Sequence, residues 1–185
     1  MRLRKGLGGF LIAASGVGVA AALYHLVRGA VIDLPFVGLP DSPDAETMIA
    51  TGYVLGVPRT ITLESIGNGH WLVPEAAAAY HAMASAAEAD GVTLHVTSSF
   101  RTATQQAILY TEQGDFENQG GVGAKKVGWS PHQRGVAVDI NVAHGTNAAY
   151  AWLTAHAYEF NFVQTAPKEF HHWAFGGMGY GLSVA

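Results

Sequence analysis

A carboxylate sits in the middle of the chain's most strongly β-forming segment, and that placement constrains the fold more than any other feature. Val136, Val138, Ile140 and Val142 alternate with Ala137, Asp139 and Asn141. The alternation predicts a strand over residues 136–142 with one apolar face and a second face that carries Asp139. Gly135 and Ala137 keep that second face free of bulk. A carboxylate among β-branched residues is costly unless it is paired or bound to a cation. Two solutions are open: a buried pair with His132 or Arg134, or a cation held jointly with His132. In either case the strand needs a core on one side and a polar site on the other.

A second cluster, Glu169-Phe170-His171-His172-Trp173, lies about thirty residues further on. Histidine and aspartate are good nitrogen and oxygen ligands for zinc, and a catalytic zinc site takes three protein ligands and leaves a fourth position for water. A glutamate that does not bind the metal can then take the proton of that water. His132, Asp139 and one of the two final histidines would complete such a set, with Glu169 as the base. His70, His81, His95, His144 and His156 stand singly in surface-like or strand patterns. The chain has no cysteine, which removes disulfide scaffolds, thiolate zinc ribbons, iron–sulfur clusters and cysteine nucleophiles together. It also lacks a His-Glu-x-x-His helix, a Gly-x-Ser-x-Gly elbow, a Ser-x-x-Lys pair, a P-loop and a Gly-x-Gly-x-x-Gly fingerprint.

The front of the chain is of a different kind. Over residues 6–27 the only polar side chains are Ser15, Tyr24 and His25, and Arg2, Arg4 and Lys5 precede them. A helix of that length reaches roughly 33 Å, enough to cross a hydrocarbon core of about 30 Å. Residues 1–28 therefore read as a membrane anchor with its start in the cytoplasm, or as a cleaved signal segment; both export the remainder. Residues 29–185 hold six basic against fourteen acidic residues, a balance that argues against nucleic acid as a partner. Prolines 35, 40, 43 and 58, with several glycines, mark residues 29–60 as a linker and leave 61–185 as the folded domain.

Within that domain Pro74-Glu75 opens a helix that Asp90-Gly91 ends, and residues 92–97 alternate as a strand. A second helix is predicted over residues 102–113, a polar glycine-rich loop over 114–128, a helix over 147–160 and a short aromatic strand over 171–175. Strands and helices alternate without the long regular spacing of parallel βαβ units, so the expected class is α+β.

The motifs in order resemble those of the VanY-type D-alanyl-D-alanine carboxypeptidase family, zinc peptidases grouped with lysostaphin and the hedgehog domain. The carrying residues are Ser130-x-His132-x-x-Gly135-x-Ala137-x-Asp139, then Glu169-x-x-His172, and upstream Ser98-Ser99-Phe100-Arg101-Thr102 with Gln106. Trp152-Leu153 and Phe160-Asn161-Phe162 resemble the helix and the Phe-Gly-Phe turn before the final motif. The resemblance spans about residues 68–178. It departs at Ser99, where the family has glycine, at Phe100 for tyrosine, and at His171, which stands where tryptophan usually precedes the ligand histidine.

The resemblance implies a small domain with a central antiparallel sheet flanked by helices, with Zn2+ bound by His132, Asp139 and His172. Glu169 would be the general base for a zinc-bound water, while Arg101, Gln106 and Ser130 hold the substrate. The implied substrate is the stem peptide of peptidoglycan or its lipid-linked precursor, cut to release terminal D-alanine at the outer face of the cell membrane. An L,D-carboxypeptidase, a peptidoglycan endopeptidase or a non-catalytic zinc-containing wall-binding module would use the same residues.

Overall fold

A computed structural model describes residues 46–121, 123–140 and 147–176. The anchor or signal reading of residues 1–28 and the first part of the 29–60 segment lie outside the described residues, as do Val142 and His144. No helix among the described residues is long and apolar enough to cross a membrane.

Two antiparallel sheets form in chain order. Strands β1 (Thr47–Val54), β2 (Val57–Gly67) and β3 (His70–Leu72) make the first, in that order. Strands β4 (Val96–Ser98), β5 (Ala137–Ile140), β6 (Phe162–Val163) and β7 (His172–Phe175) make the second, in the order β4-β5-β7-β6, with every pairing antiparallel. Among the described residues three α-helices accompany them: α1 (Pro74–Ala89), α2 (Ala103–Gln113) and α3 (Ala148–His156), the last continued by a 3-10 turn, Ala157–Phe160. The α+β class is as expected.

Residues 46–60 correct the linker reading, because they belong to the β1–β2 hairpin. Leu55 and Gly56, with φ of 51° and 81°, form a two-residue turn of the kind that matches strand twist. Pro58 reads as a breaker, yet β3 pairs only with residues 64–67 of β2, so the proline sits where one side of the strand has no neighbour.

Helix α1 starts at Pro74, with Glu75 in its first turn, and buries Ala76, Ala77, Ala79, Tyr80, Met83, Ala86 and Ala87. The small alanines let it lie close against a core built from Leu72, Val136, Val138, Ile140, Leu153, Phe162, Trp173 and Phe175. That core takes the apolar face of β5 and β7. Their opposite faces carry Asp139 and His172, which stand directly across from each other in the register, while Ala137 pairs with Ala174 beside them. The strand alternation predicted around Asp139 is thus the device that separates core from site.

The hairpin has a second task. A Cβ on Gly52 would lie 2.8 Å from the backbone oxygen of Gln133 and 2.5 Å from Ile61 Cδ1, so β1 braces the turn that carries His132. Ile61 can swing aside; the Gln133 carbonyl cannot without moving the turn. Gly52→Ala is expected to destabilise the fold by about 1–3 kcal/mol and to weaken metal binding. Chelator competition alongside denaturant unfolding checks this, and an unchanged metal affinity would remove the bracing role.

Candidate metal centre

Three segments bring the site together. His132 comes from a 3-10 turn, Pro131–Arg134, which proline opens and Gly135 closes in a left-handed conformation (φ 72°). A Cβ there would meet Leu63 at 2.8 Å and the Val73 backbone nitrogen at 3.3 Å, so the turn has room only for glycine. Asp139 comes from β5 and His172 from β7.

His132 is buried, and its Nδ1 lies 2.7 Å from the Ser99 carbonyl oxygen. A carbonyl can only accept, so Nδ1 carries the proton and Nε2 presents its lone pair inward. There Nε2 stands 3.1 Å from His172 Nδ1 and 3.2 Å from Asp139 Oδ1, and His172 Nδ1 is 3.1 Å from the same carboxylate oxygen. One donor atom from each residue falls within 4.8 Å of the others. Two ring nitrogens and a carboxylate oxygen converging from buried positions form a donor set suited to zinc. Among the described residues this is the one cluster of its kind.

Ser99, which replaces a glycine of the family pattern, costs nothing here. Its hydroxyl accepts from the Trp71 backbone N–H at 2.9 Å and meets His70 Nδ1 at 3.2 Å, which steadies the carbonyl that orients His132. Asn161, in the place of the turn glycine, adopts φ 60°, a conformation asparagine tolerates.

Asp139 works with both oxygens. Oδ1 faces the histidines, and Oδ2 accepts from Arg101 Nη2 at 2.8 Å. The rest of the guanidinium is also held: Nε donates to Ser98 Oγ at 3.0 Å and Nη1 to Gln106 Oε1 at 3.2 Å. Gln106 is fully buried, and its amide nitrogen donates to the Lys125 carbonyl at 2.7 Å. Gln106 thereby ties Arg101 to the glycine-rich loop, so the help it gives in holding a substrate goes through the arginine.

The three donors open into a cleft of about 420 Å³, lined also by Arg101, Ser130, Glu169 and His171. One wall is the loop over 114–128, including Phe116, Ala124 and Lys125; Lys125 Nζ sits 4.5 Å from the centre of the Phe116 ring. The sequence marked this loop only by its glycines and lysines. Asp115, which organises it by accepting from Tyr110, Asn118 and the Glu117 N–H, carried no signal of its own.

Glu169 is half-buried in the turn before β7, and burial raises its pKa, with His172, His171 and Arg101 pulling the other way. Burial likewise lowers the Arg101 pKa, against the pull of Asp139. Burial by itself would raise Asp139, but His132 and His172 outweigh it and hold the carboxyl well below the usual carboxylate range. His132 is pushed down from 6.5 to about 4, chiefly by burial.

That shift carries a sign. In metal-free protein the unfolded chain takes up a proton on His132 below about pH 6.5, whereas the folded chain does so only near 4. Stability should therefore be intact above pH 6.5 and fall progressively towards pH 4, by on the order of 3 kcal/mol from this group. Asp139, with its depressed pKa, adds a further loss below the carboxylate range. The raised pKa of Glu169 acts in the opposite sense, within the carboxylate range. Urea midpoints of chelator-treated protein at pH 7, 5.5 and 4.5 test this, and a flat series would mean that His132 is not held neutral.

Comparison with known proteins identifies the family. The family model for VanY, D-alanyl-D-alanine carboxypeptidase, matches residues 69–175. A D-alanyl-D-alanine carboxypeptidase of Enterococcus faecalis (strain ATCC 700802 / V583) is 32% identical over 123 residues, which cover 59% of this chain and 46% of that protein. The chain thus spans less than half the length of this curated relative. Among solved structures, a variant of the vancomycin-resistance D,D-pentapeptidase VanY from a VanB-type resistance cassette, in complex with Zn(II), superposes with a TM-score of 0.53 at 27% identity. That match covers 64% of this chain and 80% of the other. VanYB in complex with D-alanine-D-alanine gives the same score and identity over 64% and 78% of the two chains. With the family model matched over more than half its length, the chain belongs to the VanY family of D-alanyl-D-alanine carboxypeptidases.

Proposed function

We propose that the chain is a zinc-dependent D-alanyl-D-alanine carboxypeptidase that acts on peptidoglycan stem peptides. The observation that carries this reading is the convergence of His132, Asp139 and His172 beneath a cleft whose wall holds Glu169 and Arg101. His132, Asp139 and His172 would hold the zinc, and the orientation of His132 by the Ser99 carbonyl is the outer support such a ligand needs. When bound, zinc supplies Lewis-acid polarisation of a carbonyl and acidifies water. Glu169, with its raised pKa, accepts the proton of the attacking water and passes it to the leaving amine. Arg101 lines the cleft with its plane locked by three bonds, so it meets the substrate carbonyl or carboxylate in one orientation. Ser130, buried at the cleft wall, adds a hydroxyl to the substrate side.

The same proposal makes the chain a single-pass protein with its cleft outside the cytoplasm, beside the polymer and its lipid-linked precursor, or a secreted one where the N-terminal segment is cleaved. The apolar length of residues 6–27 and the basic residues in front of them support this placement.

The test is mass spectrometry of a stem pentapeptide incubated with the zinc-loaded full chain and with a chelated control. Loss of one terminal alanine, abolished by chelation, is the expected result. An intact pentapeptide with alanine released from tetrapeptide would move the assignment to an L,D-carboxypeptidase. Cleavage of cross-linked peptides alone would make it an endopeptidase, and binding without cleavage a wall-binding module.

A further inference from the structure

The tip of the β1–β2 hairpin is apolar where a soluble domain would make it polar. Leu55 is 52% exposed, Val57 45%, Val127 38% and Trp129 48%. These four residues lie on one built surface. The Gly56 N–H donates to the Gly128 carbonyl at 2.9 Å, a Cβ on Gly128 would lie 2.8 Å from Gly56 Cα, and the Trp129 ring lies 3.4–3.5 Å from where a Gly56 Cβ would sit. The Trp129 N–H is tied in turn to the Lys126 carbonyl at 3.0 Å. Leu55 is also strained, since a left-handed φ of 51° at this turn position favours asparagine or glycine. A large aliphatic side chain kept in an unfavourable conformation and turned to the outside indicates a surface with a partner.

Charge selects that partner. Residues 29–185 are strongly acidic, yet four of their six bases, Arg59, Lys125, Lys126 and Arg134, lie in the stretches 53–63 and 118–138, which hold no acid. Lys126 is 62% exposed, with one long contact to Asp115 at 3.8 Å. An apolar, tryptophan-bearing tip with the exposed Arg59 and Lys126 next to it in the chain, on an otherwise acidic body, matches the interface of an anionic bilayer. The chain length allows it: the eight residues of β1 span roughly 25 Å, and the seventeen residues between Arg28 and Glu46 can extend to at most roughly 60 Å.

We infer that the hairpin tip and the Val127–Trp129 segment dock on the lipid surface, holding the cleft at a set height above the membrane. Ser130, Pro131 and His132 follow Trp129 directly in the chain, so docking would present the cleft to substrate still attached to its lipid carrier. This rests on the anchored placement proposed above, and the experiment separates the two.

The four tryptophans, Trp71, Trp129, Trp152 and Trp173, all lie in described residues; Trp152 and Trp173 are buried, Trp71 is half-buried, and Trp129 is the most open. Full-length chain is reconstituted into phosphatidylethanolamine–phosphatidylglycerol vesicles, with and without acyl-chain bromine as quencher, and flotation is measured on the same samples. The expected result is flotation together with loss of roughly a quarter of the tryptophan emission, a loss absent in Trp129→Phe. Leu55→Asn should raise the thermal midpoint by roughly 1–3 °C while weakening the quench, because it relieves the turn and removes the apolar tip. Flotation with equal quenching in wild type and Trp129→Phe overturns the docking surface and leaves the anchor standing. Failure to float overturns both. A shift of Trp129 emission by soluble glycan fragments, with no quench by lipid, overturns lipid docking in favour of a sugar platform.

Discussion

Replacing Glu169 with glutamine is expected to reduce turnover of the stem pentapeptide by roughly 10²–10⁴-fold while the protein keeps its zinc, the loss usual for a missing general base. The fold should tolerate the change. The contacts that Glu169 makes in the turn before β7 use its backbone: its N–H donates to Ala166, and its carbonyl accepts from the His172 N–H and from Gln164 Nε2. Glutamine fills the same space and removes only the basic oxygen. Because the donor atoms of His132, Asp139 and His172 converge without Glu169, metal affinity should stay within a few-fold of wild type. Single-turnover release of alanine, read beside zinc content, separates the two effects. Retention of more than a tenth of the wild-type rate would remove Glu169 from the role of base. Loss of zinc in this variant would instead make it part of the ligand set.

The parts of the molecule legible in the sequence are those where one strand face must be apolar and the other chemical. Asp139 among alternating valines announced both the β5 pleat and the site, because a carboxylate in that position needs partners. Helix α1 was legible from Pro74-Glu75 at its start and Asp90-Gly91 at its end, and the second expected helix forms as α2, with Thr102 as its cap. The β1–β2 hairpin was hidden because Gly52, Gly56 and Pro58 imitate a linker. Each has a tertiary reason that the local sequence does not carry: close approach to Gln133, contact with Trp129, and a strand side left without a neighbour. Gln106 illustrates the same limit at the site. Its position after Arg101 is visible, but the brace it forms between the arginine and the Lys125 carbonyl depends on where the loop packs, which local spacing does not carry.

His172→Ala should cost the protein its metal by well over 100-fold, beyond the 10–100-fold typical of groups that only orient a ligand, whereas His171→Ala should leave affinity within a few-fold. The strand makes the distinction. Adjacent residues of β7 point to opposite faces, and Trp173 is committed to the core, packing beside Tyr150 with Phe175 on the same side. His172 is thereby fixed on the face of Asp139, its register partner. To bring His171 to the metal instead, β7 would have to slip by one residue, which would drive His172 into the core and Trp173 into the site. His171 is exposed at the cleft mouth, and its carbonyl accepts from the Ile140 N–H, so the strand entry is anchored against such a slip. Competition with a chromophoric chelator gives both affinities, and circular dichroism confirms that each variant is folded. Metal retained by His172→Ala and lost by His171→Ala would mean that β7 does slip, and the pairing of Asp139 with His172 on which the whole site rests would have to be redrawn.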